Sequence, residues 1–276
     1  MQKRYHQALQ QPLSLWYHSF NILLLKVILY QIIPVYKEDK IMRNANINTI
    51  FFDAADTLFF IKQGLGNTYA SVAKKHGGNP DPNHLRKAFS KAFTSAPPLA
   101  FGGVSDEERK VLEKNYWRGI VESVYQEVGM FEKFDAHFDE LFEVFRSDAW
   151  EIFPETKEVL TTLKEKNYKL GIISNFDSRV YDVMNNLEIY EYFDTFVISS
   201  EAGHAKPDPN IFHLALKEMG ADPKQCLHIG DNIYNDFHGA RALGIQALLL
   251  DRENEYESIG KQHKISNLKE INEFLD

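Results

Sequence analysis

The sequence predicts an α/β protein: a three-layer, Rossmann-like core with a parallel sheet, and a helical unit inserted after the first strand. Three observations carry this. From Phe153 onward, helix patterns and short apolar runs alternate. Those runs are continuously apolar, as in strands covered on both faces of a parallel sheet. Before them, residues 62–149 show helical patterning only.

Taken in order, "INTIFF" is short, apolar and rich in β-branched and aromatic residues, which predicts the first strand. Asn67 is placed to cap a helix ending at Gly77-Gly78. Asp81-Pro82 opens the next, with Leu85, Phe89 and Phe93 on one face. Ser105 and Glu108 form a capping box for a helix that carries Tyr116, Ile120, Val124 and Val128 and stops at Gly129. Its aromatics read as core. Another helix runs through "FDELFEVFR". After Pro154 the units are "TKEVLTTLKEKN" to "KLGIISN", "RVYDVMNNL" to "FDTFVISS", "NIFHLALKEM" to "QCLHIGD" and "FHGARALG" to "QALLLD". The expected organisation is an N-terminal extension over 1–46, a core of 47–61 and 150–276, and a helical cap of 62–149.

Of 276 residues, 44% are hydrophobic and 25% charged, ordinary values for a globular chain. The net charge of −8 disfavours nucleic acid and anionic membrane surfaces as partners. A single cysteine, Cys226, excludes an internal disulfide and fits a reducing, cytoplasmic setting. It sits in an apolar strand and reads as core. The ten histidines show no zinc spacing. Residues 13–36 are apolar but interrupted by His18, Asn21, Lys26 and Gln31, a marginal pattern for a membrane span. They lack a signal-peptide cleavage site. Three readings stand for residues 1–41: an extension upstream of a start at Met42, a membrane-associated segment, or a segment that docks on the domain or stays disordered.

In an open parallel sheet, sites form at the carboxyl ends of the strands. The first strand ends in Asp53, followed by Ala55, Asp56 and Thr57. The second ends in Ser174-Asn175. Lys206 follows the third, and Gly230-Asp231, Asn232, Asn235 and Asp236 follow the fourth. Their chemistry is coherent. Asp53 can attack phosphorus. Asp53 and Asp231 can hold Mg²⁺ through hard oxygens, with a backbone carbonyl completing the protein's share. Ser174 and the N–H after it can bind phosphate, Lys206 can neutralise it and orient Asp53, and Asp236 can hold Lys206 or a metal-bound water. Asn232 and Thr57 support this group.

"FFDAADTL", "GIISN", "AKPDP" and "IGDNIYND" resemble, in order and spacing, the four motifs of the haloacid dehalogenase (HAD) superfamily, over about residues 47–275. The helical insertion resembles that family's C1 cap (subfamily IA). "SNFDSR", "SSEAGHAKPDPNIF" and "GDNIYNDFHGAR" resemble the group named after the rhythmically expressed gene two product. The resemblance implies Mg²⁺ and an aspartyl intermediate, mostly in phosphatases acting on small phosphorylated metabolites. It also implies Lys206 as a catalytic residue and the carbonyl of Ala55 as a metal ligand.

One position departs. Family phosphatases carry a second Asp two residues after the nucleophile, to protonate the leaving group and activate water. Here that residue is Ala55, and Asp56 stands where the pattern has Gly. The loss removes general acid–base catalysis, roughly 10²–10⁴ in rate, and spares substrates with good leaving groups. Neighbouring residues on an extended segment point to opposite sides, so Asp56 is read as a structural acid of the turn or as a displaced catalytic acid. Three functions follow: a specialised Mg²⁺-dependent phosphatase, a phosphate-ligand binding or regulatory protein, and a 2-haloacid dehalogenase. The retained Asp231 argues against the last. "APPLAFGG" and "KQGLGNTYA" are the segments expected to choose the substrate.

Overall fold

The computed structural model describes residues 46–275. The expectations for residues 1–45, Met42 included, lie outside the described residues. Among those described, no helix is long and apolar enough to cross a membrane.

Thr49–Phe52 forms β1, buried along its whole length. Phe51 and Phe52 point to opposite faces of the sheet, and each has no exposed surface. Burying one such ring stabilises the fold by about 1.5–3 kcal/mol. The chain then turns back into a short strand β2, Phe59–Ile61. Four helices follow: α1 (Leu65–Lys75), α2 (Pro82–Ser95), α3 (Asp106–Val128) and α4 (Phe134–Val144). They share a core of their own that includes Tyr69, Val72, Leu85, Val124, Tyr125 and Phe138. The chain returns through β3, Trp150–Ile152, antiparallel to β2 with Phe59 opposite Ile152. Both crossings between sheet and helices therefore run through one two-stranded ribbon.

The remaining units are α5 (Thr156–Glu165), β4 (Lys169–Ser174), α6 (Arg179–Asn186), β5 (Thr195–Ile198), α7 (Pro209–Met219), β6 (Cys226–Gly230), β7 (Gln246–Leu250) and β8 (Lys264–Ile265). The main sheet has the order β5-β4-β1-β6-β7-β8 and its pairs are parallel. Leu160, Val183, Ile172 and Phe52 belong to the apolar cluster on one face; Phe51, Ile211, Phe212 and Leu249 belong to the cluster on the other. Cys226 is fully buried in the second, as its apolar run predicts. The chain goes from β1 to β4 on one side and from β5 across to β6 on the other, so β1 sits at the switch in strand order. The carboxyl ends of β1, β4 and β6 are adjacent there.

The helix ends follow local chemistry. Asp81 accepts from the N–H of His84 and Ser105 from that of Glu108. Two details differ from the sequence reading. Asn67 does not cap α1. Gly64 takes the cap position with φ of 73°, and the Asn67 amide donates back to the carbonyl of Gln63. Most of "KQGLGNTYA" is thus helix. "FHGARALG" is entered through a π-helix, Ile233–His238, and only then becomes α-helical at Gly239–Arg241.

Candidate active site

Asp53 leaves β1 with its N–H bonded to the carbonyl of Ile229 at 2.9 Å, which fixes its backbone at the edge of the sheet. Lys206 reaches it from the loop between β5 and α7. That loop is set by the side chain of Asn175. Its Oδ1 accepts from the N–H of Lys206 at 2.7 Å, and its Nδ2 donates to the Lys206 carbonyl at 2.9 Å. The buried Lys206 ammonium then donates to Asp53 Oδ1 at 2.7 Å and to Asp236 Oδ1 at 2.6 Å.

Asp236 is brought back to the sheet by the π-helix. Asn232 caps it, accepting from the N–H groups of Tyr234 and Asn235, and its own N–H donates to Asp236 Oδ2 at 3.1 Å. The carboxylate lies against the backbone of Gly230. A Cβ there would stand 2.2 Å from Asp236 Cγ, so only glycine fits. His228 Nε2, on β6 beneath, lies 2.9 Å from Asp236 Oδ1 and supplies the proton of that bond. Asp231 follows Gly230. One carboxylate oxygen each from Asp53, Asp231 and Asp236 lie within 4.8 Å of one another.

The electrostatics follow from this crowding. Three carboxylates face one ammonium. Burial pushes Asp53 up, opposed by Lys206. Burial, then the charges of Asp53, Asp236 and Asp56, push Asp231 up to about 8. Burial also works against ionisation of Asp236, but Lys206 and His228 together outweigh it and hold that carboxyl down at about 2. Burial alone would depress Lys206; Asp236 and Asp53 outweigh it, and its pKa is raised. Asp236 is therefore an ionised anchor for Lys206, with both oxygens committed. Ionising Asp231 would add a further negative charge beside Asp53, and these hard oxygen donors suit a divalent cation such as Mg²⁺, which would offset it. The donor set fits the metal.

The haloacid dehalogenase-like hydrolase family model matches residues 47–244. The chain belongs to this family. Haloacid dehalogenase-like hydrolase domain-containing protein 3 of Bos taurus is 28% identical over 246 residues, covering 83% of this chain and 94% of that protein. The Rhythmically expressed gene 2 protein of Drosophila melanogaster is 28% identical over 225 residues, covering 78% and 86%. Among solved structures, a HAD phosphatase from Thermococcus onnurineus superposes with a TM-score of 0.57 at 20% identity, covering 83% of this chain and 98% of that one. A 2-haloacid dehalogenase from Pseudomonas syringae pv. Tomato DC3000 does so with a TM-score of 0.57 at 23% identity, covering 83% and 98%. The shared fold thus serves two chemistries.

In this hydrolase the turn after Asp53 is closed by backbone. Asp56 has a φ of 58°, the left-handed region that Gly, Asn and Asp tolerate best, and its N–H donates to the carbonyl of Phe59 at 2.7 Å. Asp56 thus fits a place suited to Gly. Its N–H closes the turn, while the side chain, raised in pKa by burial and then by Asp53, lines a cavity together with Ala55. Ser174 is buried, and its hydroxyl works with Lys206 to lower the Asp53 pKa against burial. The Asn175 side chain serves the Lys206 loop. The Thr57 carbonyl accepts from Arg252 at 3.1 Å, and its buried hydroxyl has no partner among the described residues.

Sequence reasoning missed a second row of residues that joins the helical insertion to the site. Arg179 grips Asp177 in a fork, Nε to Oδ1 at 2.9 Å and Nη2 to Oδ2 at 2.7 Å, and both side chains are buried. Trp117 of α3 donates its indole N–H to Asp177 Oδ2. Arg179 Nη1 donates to the carbonyl of Phe142 of α4 at 3.1 Å, and its guanidinium lies 3.9 Å from the centre of that ring. Glu113 of α3 accepts from the N–H of Ser178 at 3.0 Å. "APPLAFGG" also docks on the core: Phe101 N–H donates to Ser200, and Gly102 packs against Gly203 so closely that a Cβ would stand 2.8 Å from its Cα. The only signal of this row was the run "SNFDSR" itself.

Truncating Lys206 tests the electrostatic arrangement. Lys206→Met leaves Asp53 and Asp236 buried without their counter-charge, and a broken buried pair costs about 3–5 kcal/mol. The loss read from denaturant midpoints should shrink towards pH 5, where the unpaired carboxyls take up protons. Wild-type stability in this variant would mean that the ion pairs contribute nothing.

Proposed function

We propose that this hydrolase is a Mg²⁺-dependent phosphatase that works through an aspartyl-phosphate on Asp53 and acts on a small phosphorylated metabolite. The observation that carries the reading is the pairing of Asp53 with the buried ammonium of Lys206, beside a second carboxylate, Asp231, that makes no ion pair among the described residues and is crowded by Asp53 and Asp236. A dehalogenase, which attacks carbon and releases halide, has no use for that surplus of negative charge; a metal-assisted phosphoryl transfer does. In this reading residues 47–61 and 150–276 form the catalytic core and residues 62–149 the cap.

The residues take these roles. Asp53, Asp231 and the carbonyl of Ala55 would hold Mg²⁺, which when bound offsets the repulsion between Asp53 and an anionic phosphate and stabilises charge on the transferring group. Ser174, the N–H of Asn175 and Lys206 bind phosphate oxygens. Lys206 also aims Asp53 Oδ1 through their shared hydrogen bond. An Asp53 oxygen bonds to phosphorus as the bond to the leaving oxygen breaks, and water then releases phosphate. Asp236, with His228 and Asn232 behind it, keeps Lys206 in place. Ala55 brings only a methyl group to the leaving oxygen, so leaving groups that depart as stable anions suit this hydrolase best. That same methyl favours a second reading, a phosphate-ligand binding or regulatory protein on this scaffold. Turnover of acetyl phosphate by the full chain, with Mg²⁺ and with EDTA, separates the two: metal-dependent hydrolysis supports the phosphatase, and its absence moves the weight to binding.

The carboxylate cluster also sets a pH dependence of stability. Asp231 has a pKa of about 8 in the folded chain against an ordinary value of 3.8. A carboxyl raised in this way binds its proton more tightly folded than unfolded. Its contribution is full below about pH 4 and is lost as pH rises towards 8. Asp236, held at about 2, acts in the opposite sense and matters only below its ordinary value of 3.8. In EDTA the melting temperature should therefore fall between pH 5 and pH 8, and Mg²⁺ should flatten that fall. A flat profile in EDTA would contradict the crowding of uncompensated charge.

A further inference from the structure

Above the strand ends, the core and the helical insertion line a half-open cavity of about 290 Å³. Its floor includes Ala55, Asp56 and Asn175, chain neighbours of Asp53 and Ser174. Its wall is aromatic. Phe89 and Phe93 stack with centroids 5.5 Å apart and planes at 11°, and Phe93 and Trp117 stack at 5.9 Å and 10°. Trp150 and Phe176 also line it, in contact at 5.8 Å.

The polar groups in this lining are few, and most are already engaged. Arg179 is its one cation, and it is spent: Asp177 holds its fork, the Phe142 carbonyl takes Nη1, and the Phe142 ring covers its face. The Asn175 amide is committed to the Lys206 backbone. Asp56 is an acid and supplies no positive charge to a second anion. A ligand carrying a further phosphate, a carboxylate or a run of hydroxyls would bury those groups against rings, and buried polar groups without partners are costly. An apolar ring is the natural occupant. A dry cavity of about 150 Å³ accepts benzene, so this one admits an aryl group or a branched acyl chain with room to spare. Ala55 points the same way, since it offers no proton to a departing alkoxide.

We infer that the site takes monophosphates of an uncharged aromatic or branched-acyl group, aryl phosphates or mixed acyl-phosphoric anhydrides, with the organic part seated among Phe89, Phe93, Trp117 and Trp150. The inference rests on the phosphatase reading of the same site. In the reaction the bond from Asp53 to phosphorus forms while the bond from phosphorus to the leaving oxygen breaks. That oxygen keeps the electron pair and departs as carboxylate or aryloxide without a proton. Water then attacks phosphorus, Asp53 regains its carboxylate, and the proton passes to solvent with phosphate.

The test separates ligand class from catalysis. With the full chain and Mg²⁺, binding of 1-naphthylmethylphosphonate and of methylphosphonate is measured by calorimetry and by the fluorescence of Trp117 and Trp150. The naphthyl compound should bind at least about tenfold tighter, the scale expected for burying a ring, and benzoyl phosphate should exceed acetyl phosphate in kcat/KM by a similar factor. Phe93 is 43% exposed, so Phe93→Ala should fold, and it should bring the two phosphonate affinities closer together. Equal affinities in the wild type, or an unchanged ratio in Phe93→Ala, would overturn the assignment. Selective naphthyl binding with no turnover of any phosphate would support the ligand class and sink the phosphatase reading. Turnover of acetyl phosphate without selective binding would do the reverse.

Discussion

Asp53→Asn should lower turnover by roughly 10⁴-fold or more, the scale on which an enzyme loses its nucleophile, and should leave the fold intact. Asparagine matches aspartate in size, and its amide oxygen can still accept from Lys206, which lies 2.7 Å from Asp53 Oδ1. The change removes one negative charge from a cluster that already holds Asp231 and Asp236 within 4.8 Å, so relief of repulsion offsets the weakened ion pair. What the amide lacks is a nucleophilic anion. Circular dichroism and melting should therefore resemble wild type while kcat for acetyl phosphate disappears. Activity kept within tenfold of wild type would mean that water attacks phosphorus directly and that Asp53 does not carry the chemistry.

Ala55→Asp should move activity the other way. Ala55 is partly buried against the sheet-face cluster and also lines the cavity, so an added carboxyl should extend into the cavity beside Asp53. The surroundings that raise Asp56, burial and the charge of Asp53, would raise the new acid too. A raised carboxyl is suited to giving a proton to a leaving oxygen. The gain should reach roughly 10²–10⁴ for alkyl phosphates, whose alkoxides leave badly. It should be small for acetyl phosphate, whose carboxylate leaves unaided. A uniform gain across both classes would point to tighter phosphate or metal binding instead. No gain in either would mean that proton transfer does not limit this hydrolase.

Much of this was legible in the sequence, for identifiable reasons. Continuous apolar runs reported β1, β4, β6 and β7, and the polar residues just beyond them reported which side chains would converge, because strand ends in a parallel sheet lie together. Asp53, Lys206 and Asp236 do meet. Other features depend on contacts that one-dimensional patterns do not hold. The strands of the β2–β3 ribbon have three residues each, too short to show a period. Asn67 carries a cap-forming side chain, yet the positive φ of Gly64 moved the helix start upstream of it. The π-helix exists where Asp236 must lie against Gly230, a fit between two positions that no local propensity encodes. The sequence reads Asn175 through the backbone N–H that follows Ser174; the part its side chain plays in organising the Lys206 loop depends on a contact remote in sequence. The Asp177–Arg179 fork stood in plain view in "SNFDSR". Its role appears only once α3 and α4 supply Trp117 and the Phe142 carbonyl.

The most direct test of the account is to look for the covalent intermediate. Without an acid–base residue at position 55, release of phosphate from Asp53 should be slower than its transfer from a substrate with a good leaving group. Rapid mixing of the full chain with acetyl phosphate and Mg²⁺, followed by acid quench and intact-mass measurement, should show a burst in which most chains gain one phosphoryl group, mapped by peptide analysis to Asp53. The same mixture with Asp53→Asn should show none. Steady hydrolysis by the wild type with no burst and no modified Asp53 at any time point would contradict an aspartyl-phosphate that waits on water.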